Sequence, residues 1–249
     1  MSKSKFIQIE SKNALLELLK EGREFDKIYA ASNAFKDEKS REIFELASKN
    51  RVPILKVSRR ALNRKLRTSS SESLIGYMIS NNDWNLKELL DKIYEERKIP
   101  FFLILDNLKY SQNIAAVMRT AFASGVNGII INPQDKGLIS DETIRISMGA
   151  AERVPLVEMN LFNALKTLKE NDIKVYAVHM EGQNYYDVDL RGPVAFVLGA
   201  EDVGISPGML ERVDANISLP MREGIGSLNV SATASVLVYE KLRQEVKGF

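Results

Sequence analysis

The sequence predicts an α/β protein, a parallel sheet covered by helices on both faces and preceded by a smaller α/β domain. Three features point there. From residue 101 onward, short apolar runs recur along the chain: FFLILD, NGIIIN, VPLVEM, IKVYAV, VAFVLGA and ANISLP. Such runs are what strands buried on both faces look like. Helical spacing of apolar residues separates most of them, notably in NIAAVMRTAFAS and LFNALKTLKEN, and strands alternating with helices make a parallel sheet. Before residue 81 the runs are smaller and form a set of their own.

In chain order, FIQIE (5–9), DKIYAA (26–31), VPILKV (52–57) and SLIGYMI (73–79) read as strands. NALLELLKE and EKSREIFELASKN show helical spacing between them. Residues 68–71, Thr-Ser-Ser-Ser, form a polar loop. The amphipathic stretch NLKELLDKIYEERK (85–98) is a linker helix stopped by Pro100. The expected organisation is a first domain at 1–80, a helical linker at 81–98 and a second domain at 99–249.

The 249 residues suffice for a sizeable core. No apolar run approaches the roughly 20 residues that span a bilayer, and the amino terminus, MSKSKFIQIESKN, lacks the apolar centre of a secretory signal. A soluble, cytoplasmic protein is therefore expected. The chain has no cysteine and one histidine, His179, which excludes disulfides, thiolate nucleophiles and a His-rich metal site; no metal is expected. His179 reads as structural, since nothing near it in sequence resembles a catalytic grouping. Net charge is nearly balanced, at +2. Residues 51–67, RVPILKVSRRALNRKLR, nevertheless hold seven basic residues, Arg59, Arg60 and Arg64 among them, and no acidic one. That run is either a solvated face or a phosphate-binding surface.

Ligands of parallel sheets bind beyond the carboxyl ends of the strands, and three loops there carry special residues. In LDNLKYSQNIAAVMRTAFASG, a strand ends at Asp106 and a helix begins around Asn113, either as its N-cap or as part of a site. Arg119 follows among apolar neighbours, where a guanidinium ordinarily pairs with a carboxylate or phosphate. The second loop, FVLGAEDVGIS, has Gly199 directly after a strand, where backbone can approach a ligand closely, and Glu201, which can grip a hydroxyl or an arginine. It is neither a dinucleotide fingerprint nor a phosphate-cradling loop, and a plain turn also accounts for it. The third, ISLPMREGIGSLNVSATASVLVYE, breaks its strand at Pro220 and opens a helix with more hydroxyl and amide groups than one N-cap needs.

Taken together, the three loops resemble the signature motifs of the SpoU (TrmH-like) RNA ribose 2′-O-methyltransferases. NIAAVMRTA, LGAEDVGIS, and LPM followed by SLNVS and a helix ending in YE agree in order and spacing over residues 101–246, and RISMGAAERVPL resembles the segment after the first motif. The amino-terminal part resembles the small L30e-like substrate-binding domain of many members. Two departures stand out: Ala115 replaces a common glycine, and Ser73-Leu74-Ile75-Gly76 stands where many members have His-Gln-Gly.

The resemblance implies a carboxyl-terminal α/β knot, a deep trefoil, that works as a homodimer. It implies S-adenosylmethionine as cofactor, with Gly199, Leu219, Met221, Ile225 and Leu228 around it. It implies transfer of the methyl group to a ribose 2′-hydroxyl of RNA, ribosomal RNA rather than tRNA. Asn113, Arg119, Glu201, Ser227 and Asn229 are the catalytic group it implies. Arg119 would hold the RNA phosphate and stabilise developing negative charge, since a guanidinium is a poor proton acceptor. Arg145, Arg59, Arg60 and Arg64 are the expected RNA contacts. A tRNA methyltransferase and a binding module without activity remain the alternative readings.

Overall fold

The computed structural model describes residues 5–66, 72–80, 83–139, 141–200, 202–223 and 226–246. The chain divides into two compact units, Met1–Asn81 and Asn82–Phe249. The first unit runs β1 (Lys5–Ile9), α1 (Lys12–Lys20), β2 (Phe25–Ala31), α2 (Glu38–Lys49), β3 (Ile54–Val57), α3 (Arg59–Asn63) and β4 (Leu74–Ser80). Its strands lie in the order β1-β4-β2-β3, with β4 antiparallel to both neighbours and β2 parallel to β3. The predicted strand at 52–57 starts two residues late. Arg51 takes a left-handed φ of 56° and the Val52 N–H closes the end of α2 on the Ala47 carbonyl, so the chain is still turning there.

Each α-helix of this unit is started by a side chain. Ser11 accepts from the Ala14 N–H, Asp37 from the N–H and Oγ of Ser40, and Ser58 from the Ala61 N–H, as N-caps do. Helix α1 buries Leu15, Leu16, Leu18 and Leu19. A Cβ at Gly76 would sit 2.2 Å from Leu15 Cδ1 and 2.9 Å from the Phe25 ring. Only glycine lets β4 pass so close beneath α1. A second small cluster joins Leu62 of α3 to Ala31 and Ile75, flanked by Tyr29 and Tyr77. The polar loop at 68–71 lies outside the described residues.

The second unit continues with α4 (Leu86–Glu95), β5 (Phe101–Asp106), α5 (Ser111–Ser124), β6 (Gly128–Ile131), α6 (Asp141–Ile146), β7 (Leu156–Glu158), α7 (Leu161–Glu170), β8 (Lys174–Asn184), β9 (Val194–Gly199), α8 (Pro207–Leu210), β10 (Ala215–Ser218) and α9 (Val230–Glu245). The six strands are all parallel, in the order β10-β8-β9-β5-β6-β7. Every residue of β5 and β6 is buried, as a sheet covered on both faces requires. Leu86, Leu89, Leu90 and Ile93 of α4 pack with α7 against Phe102, Ile104 and Ile130. The helix read as a linker is thus part of this core. It ends at Glu95, ahead of Arg97 with φ 53°, before Pro100 can act. Helices α5 and α9 pack side by side, joined by the Thr120 and Ser235 hydroxyls at 3.1 Å. Among the described residues no helix is long and apolar enough to cross a membrane.

Candidate active site

Strand β8 pairs with β9 only as far as Ala177 opposite Val197, and a cavity of about 290 Å³ opens where they part. That is near the lower end of the roughly 300–1,000 Å³ of small-molecule sites. Three segments line it. Val178, His179 and Met180 come from β8, Leu198 to Ala200 with Gly204 and Ile205 from the end of β9 and its loop, and the third segment supplies Leu219, Met221, Ser227, Leu228 and Thr233. Among the described residues the lining is apolar except for the side chains of His179, Ser227 and Thr233.

The loop after β9 is folded tightly on itself. A Cβ at Gly199 would lie 2.3 Å from the Gly204 carbonyl carbon and 2.4 Å from the Ile205 nitrogen. The space that the missing side chain of Gly199 leaves open is taken by this loop, and Gly199 also borders the cavity. Gly204 adopts φ 68° and its N–H donates to the Ala200 carbonyl at 2.8 Å. Asp106, 2% exposed, accepts the Ser206 N–H at 2.8 Å, and Lys109 pairs with Asp202. Both contacts tie this loop to the one after β5. Hydrogen bonding from Lys109 holds the Asp202 carboxyl below its ordinary range. Asp135, on the turn after β6, is shifted the other way by burial and by the nearby Asp106 charge.

The polar start of α9 divides its work. Asn229 is the N-cap: its Oδ1 accepts from the Ser231 N–H at 2.9 Å and the Ser231 Oγ at 2.6 Å. Its Nδ2 donates to Asn113 Oδ1 at 3.1 Å, which joins the first turns of α5 and α9. Ser235 Oγ donates back to the Ser231 carbonyl at 2.8 Å. Ser231 and Ser235 thus serve the helix, while Ser227 and Thr233 face the cavity.

The structure brings Gly199, Leu219, Met221, Leu228 and Ser227 to one cavity and couples Asn113 to Asn229. Glu201 and Ile225 lie outside the described residues. Asn113 is not a cap, because α5 begins two residues earlier at Ser111 behind Tyr110. Arg119 is exposed on α5, six residues beyond Asn113 and so about 9 Å along the axis, and it does not line the cavity. Arg145 is exposed on α6. Of the basic run, Arg60 and Arg64 are exposed, whereas Arg59 is half-buried and donates to the Glu72 carbonyl at 2.7 Å, a structural task. Among the described residues no cluster of His, Asp and Glu could hold a metal ion.

His179 is the correction of most consequence. Expected to be structural, it lines the cavity. Its position at the carboxyl end of a strand of a parallel sheet was the available signal. Asp106 and Thr233 were also missed; a carboxylate at a strand end and a hydroxyl within a helix carry no motif of their own.

A parallel α/β sheet with an apolar, polar-tipped cavity past its strand ends is the architecture of a protein that holds a small molecule at its strand termini. Comparison with known proteins narrows the class. The chain belongs to the SpoU rRNA Methylase family, whose model matches residues 100–239. A model described as RNA 2′-O ribose methyltransferase substrate binding matches residues 9–72. The chain is 32% identical over 235 residues to YacO of Bacillus subtilis, assigned to the TrmH family of tRNA/rRNA methyltransferases, covering 94% of both chains. It is 32% identical over 211 residues to the 23S rRNA (guanosine-2′-O-)-methyltransferase RlmB of Pseudomonas aeruginosa, covering 84% of both. An AdoMet-bound rRNA methyltransferase from Sinorhizobium meliloti shares the fold, with TM-score 0.80 at 18% identity, over 97% of this chain and 88% of that one.

Proposed function

We propose that this protein transfers a methyl group from S-adenosylmethionine to a ribose 2′-hydroxyl in ribosomal RNA. The observation that carries the reading is the convergence of residues from the three loops: the cavity at the end of β9 opens beside the segment that leads to the Asn113–Asn229 hydrogen bond. The residues present fit the cofactor. An apolar lining with a few polar side chains suits a nucleoside carrying a sulfur-linked aliphatic chain, and Leu219, Met221 and Leu228 are the expected contacts. When bound, the cofactor supplies a methyl group already activated by its positively charged sulfur, so no metal is required.

The chain's own residues then have to position a hydroxyl, accept its loss of a proton and exclude competitors. Positioning alone can supply up to about 7–11 kcal/mol in favourable cases. Asn113 and Asn229, locked to each other, and Ser227 orient the ribose; Glu201 completes the expected set. Arg119 holds the RNA phosphate and stabilises the developing alkoxide, with a substrate phosphate or water taking the proton. Arg145, Arg60 and Arg64 are exposed and contact RNA through phosphates. Ribosomal RNA is favoured because the 23S rRNA methyltransferase relatives match over both parts of this chain.

The same reading includes the trefoil knot, supported by the return of the chain from β10, at one edge of the sheet, to α9 packed on α5. It also includes a homodimer, supported by Phe122 on α5 and Tyr239 on α9, large apolar side chains left exposed on adjacent helices. Sedimentation should find a dimer, and Tyr239→Glu should shift it towards monomer. A monomeric wild-type protein would remove this part of the reading. The reaction is tested by offering labelled S-adenosylmethionine with unmodified ribosomal RNA and with tRNA. Transfer to ribosomal RNA supports the reading. Transfer to tRNA alone keeps the chemistry and overturns the substrate; cofactor binding without transfer to either points to an RNA not offered, and the absence of both transfer and cofactor binding favours a binding module.

A further inference from the structure

We propose that His179 grips the methyl donor directly, its Nε2–H donating a hydrogen bond to an acceptor on the cofactor. The inference rests on the proposed use of the cavity and adds a residue to it.

His179 is the one histidine of the chain. It stands where β8 leaves the core: Val175, Tyr176 and Ala177 are buried, and the next two residues are half-exposed and line the cavity. The backbone N–H of Glu181 donates to its Nδ1 at 3.3 Å. That bond occupies the Nδ1 lone pair, so the neutral ring carries its proton on Nε2 and presents a donor. The same bond fixes the ring's orientation on the strand. A purely structural histidine would be enclosed in the core with its ring nitrogens satisfied there; this one is at the edge of a cavity.

The chemistry of the lining gives the donor its use. Among the described residues only His179, Ser227 and Thr233 bring polar side chains to the cavity, and the two hydroxyls can serve as donor or acceptor. His179 alone contributes a ring N–H. In apolar sites a small number of placed polar groups fix the orientation and identity of the ligand. The cofactor offers ribose hydroxyls, purine nitrogens and a carboxylate as acceptors, and the imidazole discriminates in favour of a ligand that presents one there.

A lone histidine makes the test direct, because its ring signals need no assignment. S-adenosylhomocysteine, the demethylated cofactor, is titrated into the full-length protein, with affinity read by calorimetry and the imidazole read by long-range proton–nitrogen correlation. The expected result is a shift of Nε2 on binding with Nδ1 little changed. His179→Ala should weaken binding by about five- to tenfold, the size of one net hydrogen bond. His179→Gln, whose terminal amide can reach the Nε2 position, should recover most of that loss. Thermal melts of both variants check that the fold is intact. Wild-type binding with an unmoved imidazole, and equal affinity in His179→Ala, would overturn the inference and leave the methyl-donor reading standing. Failure of the wild-type protein to bind would remove both.

Discussion

The two units are both α/β, yet they are built differently. The second has a fully parallel sheet whose central strands are buried on both faces, and Gly199, Leu219, Met221, Ser227 and Leu228 gather past the strand ends around one cavity. The first has a mixed sheet with two antiparallel pairings, and its distinctive side chains are cations and rings. Tyr29 and Tyr77 meet edge to face at 5.7 Å, Lys65 Nζ sits 4.7 Å over Tyr29, and Lys56 Nζ lies 4.8 Å over Phe35. Under the proposed function the contrast is a division of labour. Where the ligand is small, a rigid parallel sheet fixes three loops within hydrogen-bonding reach; where the ligand is a nucleic acid, exposed charge and aromatic surface are what recognition needs.

The division predicts that damage to the second unit affects the chemical step while damage to the first affects RNA affinity. The largest effect is expected at Arg119. Arg119→Ala should lower methyl transfer by about 10²–10³-fold or more, the cost of losing one electrostatic interaction with the transition state, with S-adenosylhomocysteine affinity unchanged. An equal loss of cofactor affinity would place Arg119 in binding and blur the contrast. Next is Asn229→Asp. Aspartate remains a good N-cap, so the melting temperature should hold. The donor to Asn113 is removed, and the rate at saturating substrate should fall about tenfold, roughly the worth of one hydrogen bond. A fall in stability without loss of rate would show that Asn229 is only a cap.

Smaller effects belong to the first unit. Replacing Arg60 and Arg64 together by alanine should weaken RNA binding several-fold. It should also flatten the slope of log affinity against log salt by about 0.7–0.9 for each phosphate no longer neutralised, with the rate at saturating RNA unchanged. An unchanged slope would make the run a solvated face. The smallest effect concerns Asp37. Its bond from the Ser40 hydroxyl, and then Lys12, lower its pKa from 3.8 to about 2. Its contribution to stability is complete above the ordinary value of 3.8 and is lost as pH falls towards 2. The melting temperature of the wild-type protein should therefore include a shallow decline over that interval, reduced in Asp37→Asn, which keeps a capping side chain. Identical pH profiles would show that the carboxylate adds nothing beyond its cap.

Much of this architecture was legible because burial writes itself into local composition. FFLILD and VAFVLG can hardly be anything but central strands, and all but one of their twelve residues are indeed buried. The loops were legible through resemblance, not through spacing. What could not be read was anything created by the meeting of distant segments. His179 owes its place to the parting of β8 from β9, beside residues some fifty positions further along the chain. That Gly199 also makes room for the chain's own return at Gly204 and Ile205 leaves no local mark in the sequence. Helix α6, DETIRI, is too short to show a period, and the half-structural role of Arg59 depends on Glu72, thirteen residues away.

The decisive measurement is the position of the transferred methyl group. Ribosomal RNA labelled by the protein and S-adenosylmethionine is hydrolysed in alkali, which cleaves only beside a free 2′-hydroxyl. The expected result is label in an alkali-resistant dinucleotide from one site. Label released as a mononucleotide would place the methyl group on a base and contradict 2′-O transfer.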